Sequence, residues 1–228
     1  MTEMQEIENT IPQKLNIAEI RKYTKEAAPL IHCITNPISI HDCANIILAA
    51  GARPIMAEHP AEVAEITAVA SALMLNLGNI TDARIESIQR ALKEANRREI
   101  PVLLDLVGVT CSSLRREFAR KLLADGRFAV IKGNISEILA AADLPFHGTG
   151  IDAGSQDAVS QANEARYCTT AKKLAEHLGC TVMATGKLDL IADRHQAFLI
   201  ANGHAALSGI TGTGCMVGAL TAAYLPAS

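Results

Sequence analysis

Short apolar segments recur along the chain, each closed by a polar residue or glycine and followed by a stretch with helical spacing. They are Leu30–Ile34, Pro54–Ala57, Leu73–Leu77, Pro101–Leu106, Phe128–Ile131 and Thr181–Ala184. Runs this short, apolar at nearly every position, suit strands buried on both faces. Between them the spacing predicts helices over Leu15–Ala28, His41–Ala50, Pro60–Thr67, Asp82–Arg98, Leu114–Leu123 and Ala165–Leu178. Strand, loop and helix in repetition lead to an α/β fold, a mostly parallel central sheet with helices on both faces.

Local chemistry sharpens several boundaries. Leu15, Ile17, Ile20 and Tyr23 mark the apolar side of the first helix, which Pro29 closes; Cys43, Ile46, Ile47 and Ala50 turn inward on the second, and Gly51 stops it. Thr81 caps the helix whose stripe is Ile85, Ile88, Ala91, Leu92 and Ala95. Residues 189–193 and 196–200 read as a hairpin, and residues 146–163 as a surface excursion. The chain has 228 residues, no internal repeat and no long linker, so a single domain is expected.

Composition narrows the partners. The net charge is −3 and aromatics make up 3% with no Trp, so neither a basic field nor a stacking surface points to nucleic acid. The acidic, polar start lacks the apolar core of a signal peptide, and no apolar run reaches the roughly 18 residues of a membrane span. A cytoplasmic protein acting on a small molecule is expected. Cysteines at 33, 43, 111, 168, 180 and 215 show no paired metal spacing and read as reduced, packed thiols, with Cys215 set apart by its position.

In open α/β sheets ligands gather beyond the carboxyl ends of the strands. Asn36, Met56, Gly78, Asp105, Lys132 and Thr185 all fall at or just past predicted strand ends, which argues for one shared site. The stretch Gly209-Ile210-Thr211-Gly212-Thr213-Gly214-Cys215 then opens a small-residue helix, Met216 to Tyr224. A glycine turn opening a helix is a phosphate cradle in outline, and a glycine-rich packing turn shares that outline. Asp105 ends an apolar strand, where a carboxylate needs a cation, a metal or N–H groups. Asn134 and Glu137 fit an N-cap and its partner acid three residues on; with Asp105, Glu137 also suits Mg²⁺. Lys132 suits a phosphate or solvent, and Thr185-Gly186 a ligand contact or an ordinary turn. A dinucleotide fingerprint is not met: Gly212, Gly214 and Gly218 space the last glycine one residue too far.

Thr35-Asn36, Pro54-Ile55-Met56-Ala57, Asn76-Leu77-Gly78, Asp105-Leu106-Val107-Gly108, Lys132 through Glu137, Thr185-Gly186 and Gly212-Thr213-Gly214-Cys215 stand in an order that resembles the hydroxyethylthiazole kinases. These are ribokinase-like enzymes of thiamine salvage. The resemblance runs from about Leu15 to the C-terminus, and Cys215 is its sharpest mark, since most ribokinase-like enzymes carry Asp there. It implies a ribokinase-like fold and ATP-dependent phosphorylation of 4-methyl-5-(2-hydroxyethyl)thiazole with Mg²⁺. Asn36, Met56, Gly78 and Gly212 would contact the thiazole. Lys132, Thr185 and Asp105 would serve ATP, and Asp105 and Glu137 would organise Mg²⁺. The N–H groups of Gly212, Thr213, Gly214 and Cys215 would form an anion hole, with Cys215 beside the hydroxyl as the catalytic thiol, an orienter before a base. The resemblance also implies a homotrimer with the thiazole sites between subunits. The sequence departs from the pattern at Leu106, where Pro is usual, and at Lys132, where Arg is common; it also ends at Ser228, before family elements that help cover the nucleotide. Two rivals remain at this level: another ribokinase-like small-alcohol kinase, against which Cys215 speaks, and a non-catalytic thiazole-binding remnant.

Overall fold

The computed structural model describes residues 17–148, 154, 156–160 and 162–227. Eight strands form one sheet: β1 Leu30–Ile34, β2 Arg53–Ile55, β3 Ala72–Asn76, β4 Val102–Asp105, β5 Val130–Asn134, β6 Thr181–Thr185, β7 Asp189–Ala192 and β8 Ala197–Ile200. Their order is β2-β1-β3-β4-β5-β6-β7-β8. The first six run parallel, and β7 and β8 close the sheet as the antiparallel hairpin read in the sequence. The helices are α1 Ile17–Ala27, α2 Ile40–Ala50, α3 Val63–Ala68, α4 Asp82–Arg97, α5 Ser113–Asp125, α6 Ile135–Ala141, α7 Glu164–Leu178 and α8 Thr213–Tyr224.

Two apolar layers cover the two faces. One unites Leu73, Leu75, Leu104 and Ile131 of the strands with the buried sides of α4 to α7. The other unites Ile31, Cys33, Met74, Leu103 and Val130 with α2 and α8. Period two along each strand explains the split, since alternate residues face opposite layers. The register then carries a consequence for the site. Met74 pairs with Leu103 and Leu103 with Val130; two residues further along, Asn76 pairs with Asp105 and Asp105 with Lys132. On the α8 face, an apolar row therefore gives way to a polar row at the carboxyl ends.

The element ends follow local chemistry. Thr81 accepts from the Arg84 N–H and starts α4, and Gly51 ends α2 in the left-handed region at φ 94°. Three expectations need correction. The predicted apolar side of α1 is not buried: Ile17 and Tyr23 are 60% and 50% exposed, while Thr24 faces inward and donates to the Ile20 carbonyl. This helix lies at the periphery, so only a narrow edge is covered; Leu15 lies outside the described residues. Secondly, β5 continues to Asn134, which puts Lys132 inside the strand, because Lys132 to Asn134 keep pairing with Met183 to Thr185. Thirdly, Cys111 is exposed and Cys168 half-buried, so not every thiol is a packed one. The excursion expected over 146–163 falls partly outside the described residues. No helix among the described residues is long and apolar enough to cross a membrane.

Candidate active site

The polar row is built around a buried ion pair. Lys132 Nζ donates to Asp105 Oδ2 at 3.1 Å, with both side chains almost wholly buried. Burial works against the lysine's charge, but Asp105, with help from Glu137, holds its proton more firmly than usual. The Val107 N–H donates to Asp105 Oδ1 at 3.2 Å. Lys132 therefore serves a carboxylate, not solvent.

Glu137 realises the cap read in the sequence. Its Oε2 accepts from the Asn134 N–H at 2.7 Å, while Asn134 Oδ1 accepts from the Glu137 N–H at 2.9 Å. Its second oxygen accepts from the Gly108 N–H at 2.7 Å, which ties the loop after β4 to the start of α6. Burial and the charge of Asp105 together push Glu137 up to about 7. Two hard carboxylates in one buried site carry charge that a cation would relieve. Among the described residues no cluster of three or more acids, histidines or cysteines forms a metal cage. This donor set fits Mg²⁺ in its usual mode, held chiefly by water and substrate phosphates.

Helix α8 lies over this row. It packs on α2, β3 and β4, and its buried residues are Cys215, Gly218, Ala219, Ala222 and Ala223. Small side chains let it approach closely: a Cβ on Gly214 would stand 3.7 Å from Lys132 Nζ, and one on Gly218 would stand 3.4 Å from Asp105 Oδ2. Gly212 caps the helix at φ 86°, and a Cβ there would meet Ser39 Cβ at 3.0 Å. The first intrahelical bond is Met216 N–H to the Gly212 carbonyl, so the N–H groups of Thr213, Gly214 and Cys215 precede it. A first turn with no side-chain cap, together with a lysine close by, favours an anion at this point.

The thiol sits in a defined donor frame. Asn36 Oδ1 is taken by the N–H groups of Ile38 and Ser39 and by the Ser39 hydroxyl. That leaves its amide NH₂ to donate to Asn76 Oδ1 at 3.1 Å and to Cys215 Sγ at 3.2 Å. Asn76 Oδ1 also accepts from the Gly78 N–H at 2.9 Å, which turns its own NH₂ toward Cys215 Sγ at 3.3 Å. The network thus assigns both amide orientations. Cys215 Sγ accepts twice, so any proton it carries must be directed elsewhere.

A cleft of about 520 Å³ opens beside the helix start, lined by Thr185, Gly186, Asn202, Gly203, Thr213 and Gly214 among others. Thr185 closes β6 and donates its hydroxyl to the Gly133 carbonyl at 3.3 Å. The structure thus joins Asn36, Gly78 and Cys215 in one network, Asp105, Lys132, Glu137 and Gly214 in a second beneath it, and Thr185 with the helix start in the cleft. Met56 stands apart. It follows the edge strand β2, half-buried against the α2 layer. Asn76 belongs to the site but was not singled out by sequence reasoning. Its signal was available, as an amide ending an otherwise apolar strand.

This geometry has close counterparts. The sequence model of the hydroxyethylthiazole kinase family matches residues 21–228. Hydroxyethylthiazole kinase 2 of Clostridium botulinum (strain 657 / Type Ba4) is 48% identical over 207 residues, covering 91% of this chain and 78% of that protein. The solved hydroxyethylthiazole kinase protein of Pyrococcus horikoshii OT3 superposes with a TM-score of 0.80 at 32% identity, over 92% of this chain and 76% of that one. A ribokinase-like superfamily protein of Enterococcus faecalis V583 shares the fold at a TM-score of 0.60 and 12% identity, over 92% of this chain and 78% of that one. With a family match across most of its length and a relative at nearly half identity, the chain belongs to the hydroxyethylthiazole kinase family.

Proposed function

We propose that this protein transfers the γ-phosphoryl group of ATP to the hydroxyl of 4-methyl-5-(2-hydroxyethyl)thiazole, at the start of α8. The observation that carries this reading is the double amide frame around Cys215 Sγ, directly above the Lys132–Asp105 pair. Phosphoryl transfer leaves a protein little covalent work, so positioning and charge stabilisation dominate. Asn36, Gly78, Gly212 and Met56 contact the thiazole and hold its side chain toward Cys215. The sulfur, already fixed by two N–H donors, orients the hydroxyl by accepting a hydrogen bond from it. As the new O–P bond forms and the bond to ADP breaks, the hydroxyl proton passes to phosphate oxygen or solvent. The N–H groups of Gly212, Thr213, Gly214 and Cys215 receive the charge that develops on the transferring group.

Thr185 and the cleft beside it take the nucleotide, and Lys132 balances phosphate charge from below. Asp105 and Glu137 would hold Mg²⁺, which when bound would neutralise phosphate charge. The protein works in the cytoplasm as a homotrimer with alcohol sites shared between subunits. The edge position of β2, with Met56 just beyond it, and the exposure of Ile38 and Leu48 support that assembly. A coupled assay for ADP release with the thiazole alcohol, ATP and Mg²⁺ tests the activity. Turnover with mass-spectrometric detection of the alcohol's phosphate is expected; binding without turnover, or turnover of only an unrelated alcohol, contradicts it.

A further inference from the structure

Arg84 is the third residue of α4, and it is 5% exposed. It follows the helix stripe toward the sheet, since Arg84, Ile88, Ala91 and Ala95 fall on one face. Among the described residues its guanidinium has no buried carboxylate for a partner. Instead, Nη2 donates to the Thr35 carbonyl, and Nη1 faces the Gly78 and Asn79 carbonyls at 3.4 and 3.3 Å. Nε lies 3.5 Å from Glu58 Oε2, a carboxylate half exposed to solvent. These contacts belong to different loops. Thr35 precedes Asn36 after β1, Glu58 lies two residues past Met56 after β2, and Gly78-Asn79 forms the turn after β3.

We infer that Arg84 is a positioning residue that gathers the three strand-end loops into one wall of the alcohol site. The inference rests on the proposed function for what that wall binds. Converging carbonyls repel one another unless a donor stands between them, and a planar fork with several N–H groups can serve them from one position. Asn79 holds a left-handed φ of 51°, within the turn that offers both the Gly78 and Asn79 carbonyls to the fork. Ser87, one turn further along α4, reinforces the middle loop by donating to the Glu58 carbonyl at 2.7 Å. His32 does so from below, with its Nε2–H donating to the Ala57 carbonyl at 2.9 Å. Arg84 reaches the first and third loops by hydrogen bonds and the middle loop by an ion pair. A buried cation adds little to stability relative to an apolar side chain of similar volume. Its value here lies in the placement of Asn36, Met56 and Gly78.

The test uses Arg84→Met, which keeps volume without donors, and Arg84→Lys, which keeps charge without the fork. Both are expected to raise KM for the thiazole alcohol about tenfold or more, while KM for ATP stays within about twofold. Amide hydrogen exchange in the absence of any substrate is expected to quicken together in residues 35–38, 56–59 and 78–80. Free guanidinium at low concentration is expected to slow that exchange again in Arg84→Ala, whose truncation leaves room for it, and not in Arg84→Met. Exchange that quickens in one loop alone, or an unchanged alcohol KM in a folded variant, overturns the inference. If Arg84→Met does not fold, Arg84→Lys decides by the same readouts. Should the wild-type protein fail to phosphorylate the alcohol while the loops still loosen together, the proposed function falls and the gathering role stands.

Discussion

Cys215 is held by what its neighbours cannot do otherwise. The oxygens of Asn36 and Asn76 are already committed to N–H and O–H donors, so both NH₂ groups must aim at the sulfur. A carboxylate in that place would accept the same two bonds and take a hydroxyl proton at neutral pH. Cys215→Asp is therefore expected to keep kcat within about tenfold of wild type, and Cys215→Ala to lower it about a hundredfold. A thousandfold loss in the aspartate variant, read in the same steady-state assay, would mean that thiol chemistry itself is required. Glu137 gives a second check at this scale. Its folded-state value of about 7 lies above the ordinary 4.5, so the native protein holds this proton more tightly than the unfolded chain. Between those values its contribution to stability falls as pH rises. Denaturant midpoints measured across that window are expected to show the decline, and Glu137→Gln to flatten it; an unchanged slope would contradict the assignment.

In the proposed reaction helix α8 acts through its first turn, and Gly212 is the residue that lets the chain enter it. The left-handed φ and the nearby Ser39 leave no room for a side chain. Gly212→Ala is expected to cost about 1–3 kcal/mol of stability, read by denaturant unfolding, and to weaken turnover further because the N–H groups proposed to bind the phosphoryl group shift. Retention of both would show that the turn tolerates rearrangement. Element chemistry of this kind was legible in the sequence: the Thr81 cap, the Gly51 stop, the Asn134–Glu137 cap and the glycine turn before Cys215 all depend on neighbours within a few residues. What local pattern does not contain is register. The Asn76–Asp105–Lys132 row exists because three strands pair at one offset, and Lys132 alone suggests only a strand-end cation. Arg84 shows the same limit. Its partners are carbonyls of the loops after β1 and β3 and a carboxylate of the loop after β2, which no local pattern brings together. The exposure of Ile17 and Tyr23 arises because periodicity identifies an apolar side without saying what covers it.

Across the whole molecule, the parallel sheet brings the site residues to one edge, while its two apolar layers hold that edge in shape. The alternation of short apolar runs and helical spacing made this architecture readable, and the antiparallel hairpin at β7–β8 was readable too. Strand order was not, since it places β1 between β2 and β3 and depends on helix packing across both faces. Assembly belongs to this scale. Light scattering during size-exclusion chromatography is expected to give three times the chain mass, and a charged residue at Leu48, as in Leu48→Glu, to shift it toward the single chain. A monomeric wild type would contradict shared sites between subunits. The central claim is that nucleotide and alcohol meet at the start of α8. A crystal structure with a non-hydrolysable ATP analogue, Mg²⁺ and the thiazole alcohol tests it most directly. The expected result is the terminal phosphate on the N–H groups of Gly212 to Cys215, with the alcohol oxygen in hydrogen-bond contact with Cys215 Sγ. Ligands seated away from that turn, or an alcohol oxygen turned from the sulfur, would contradict it.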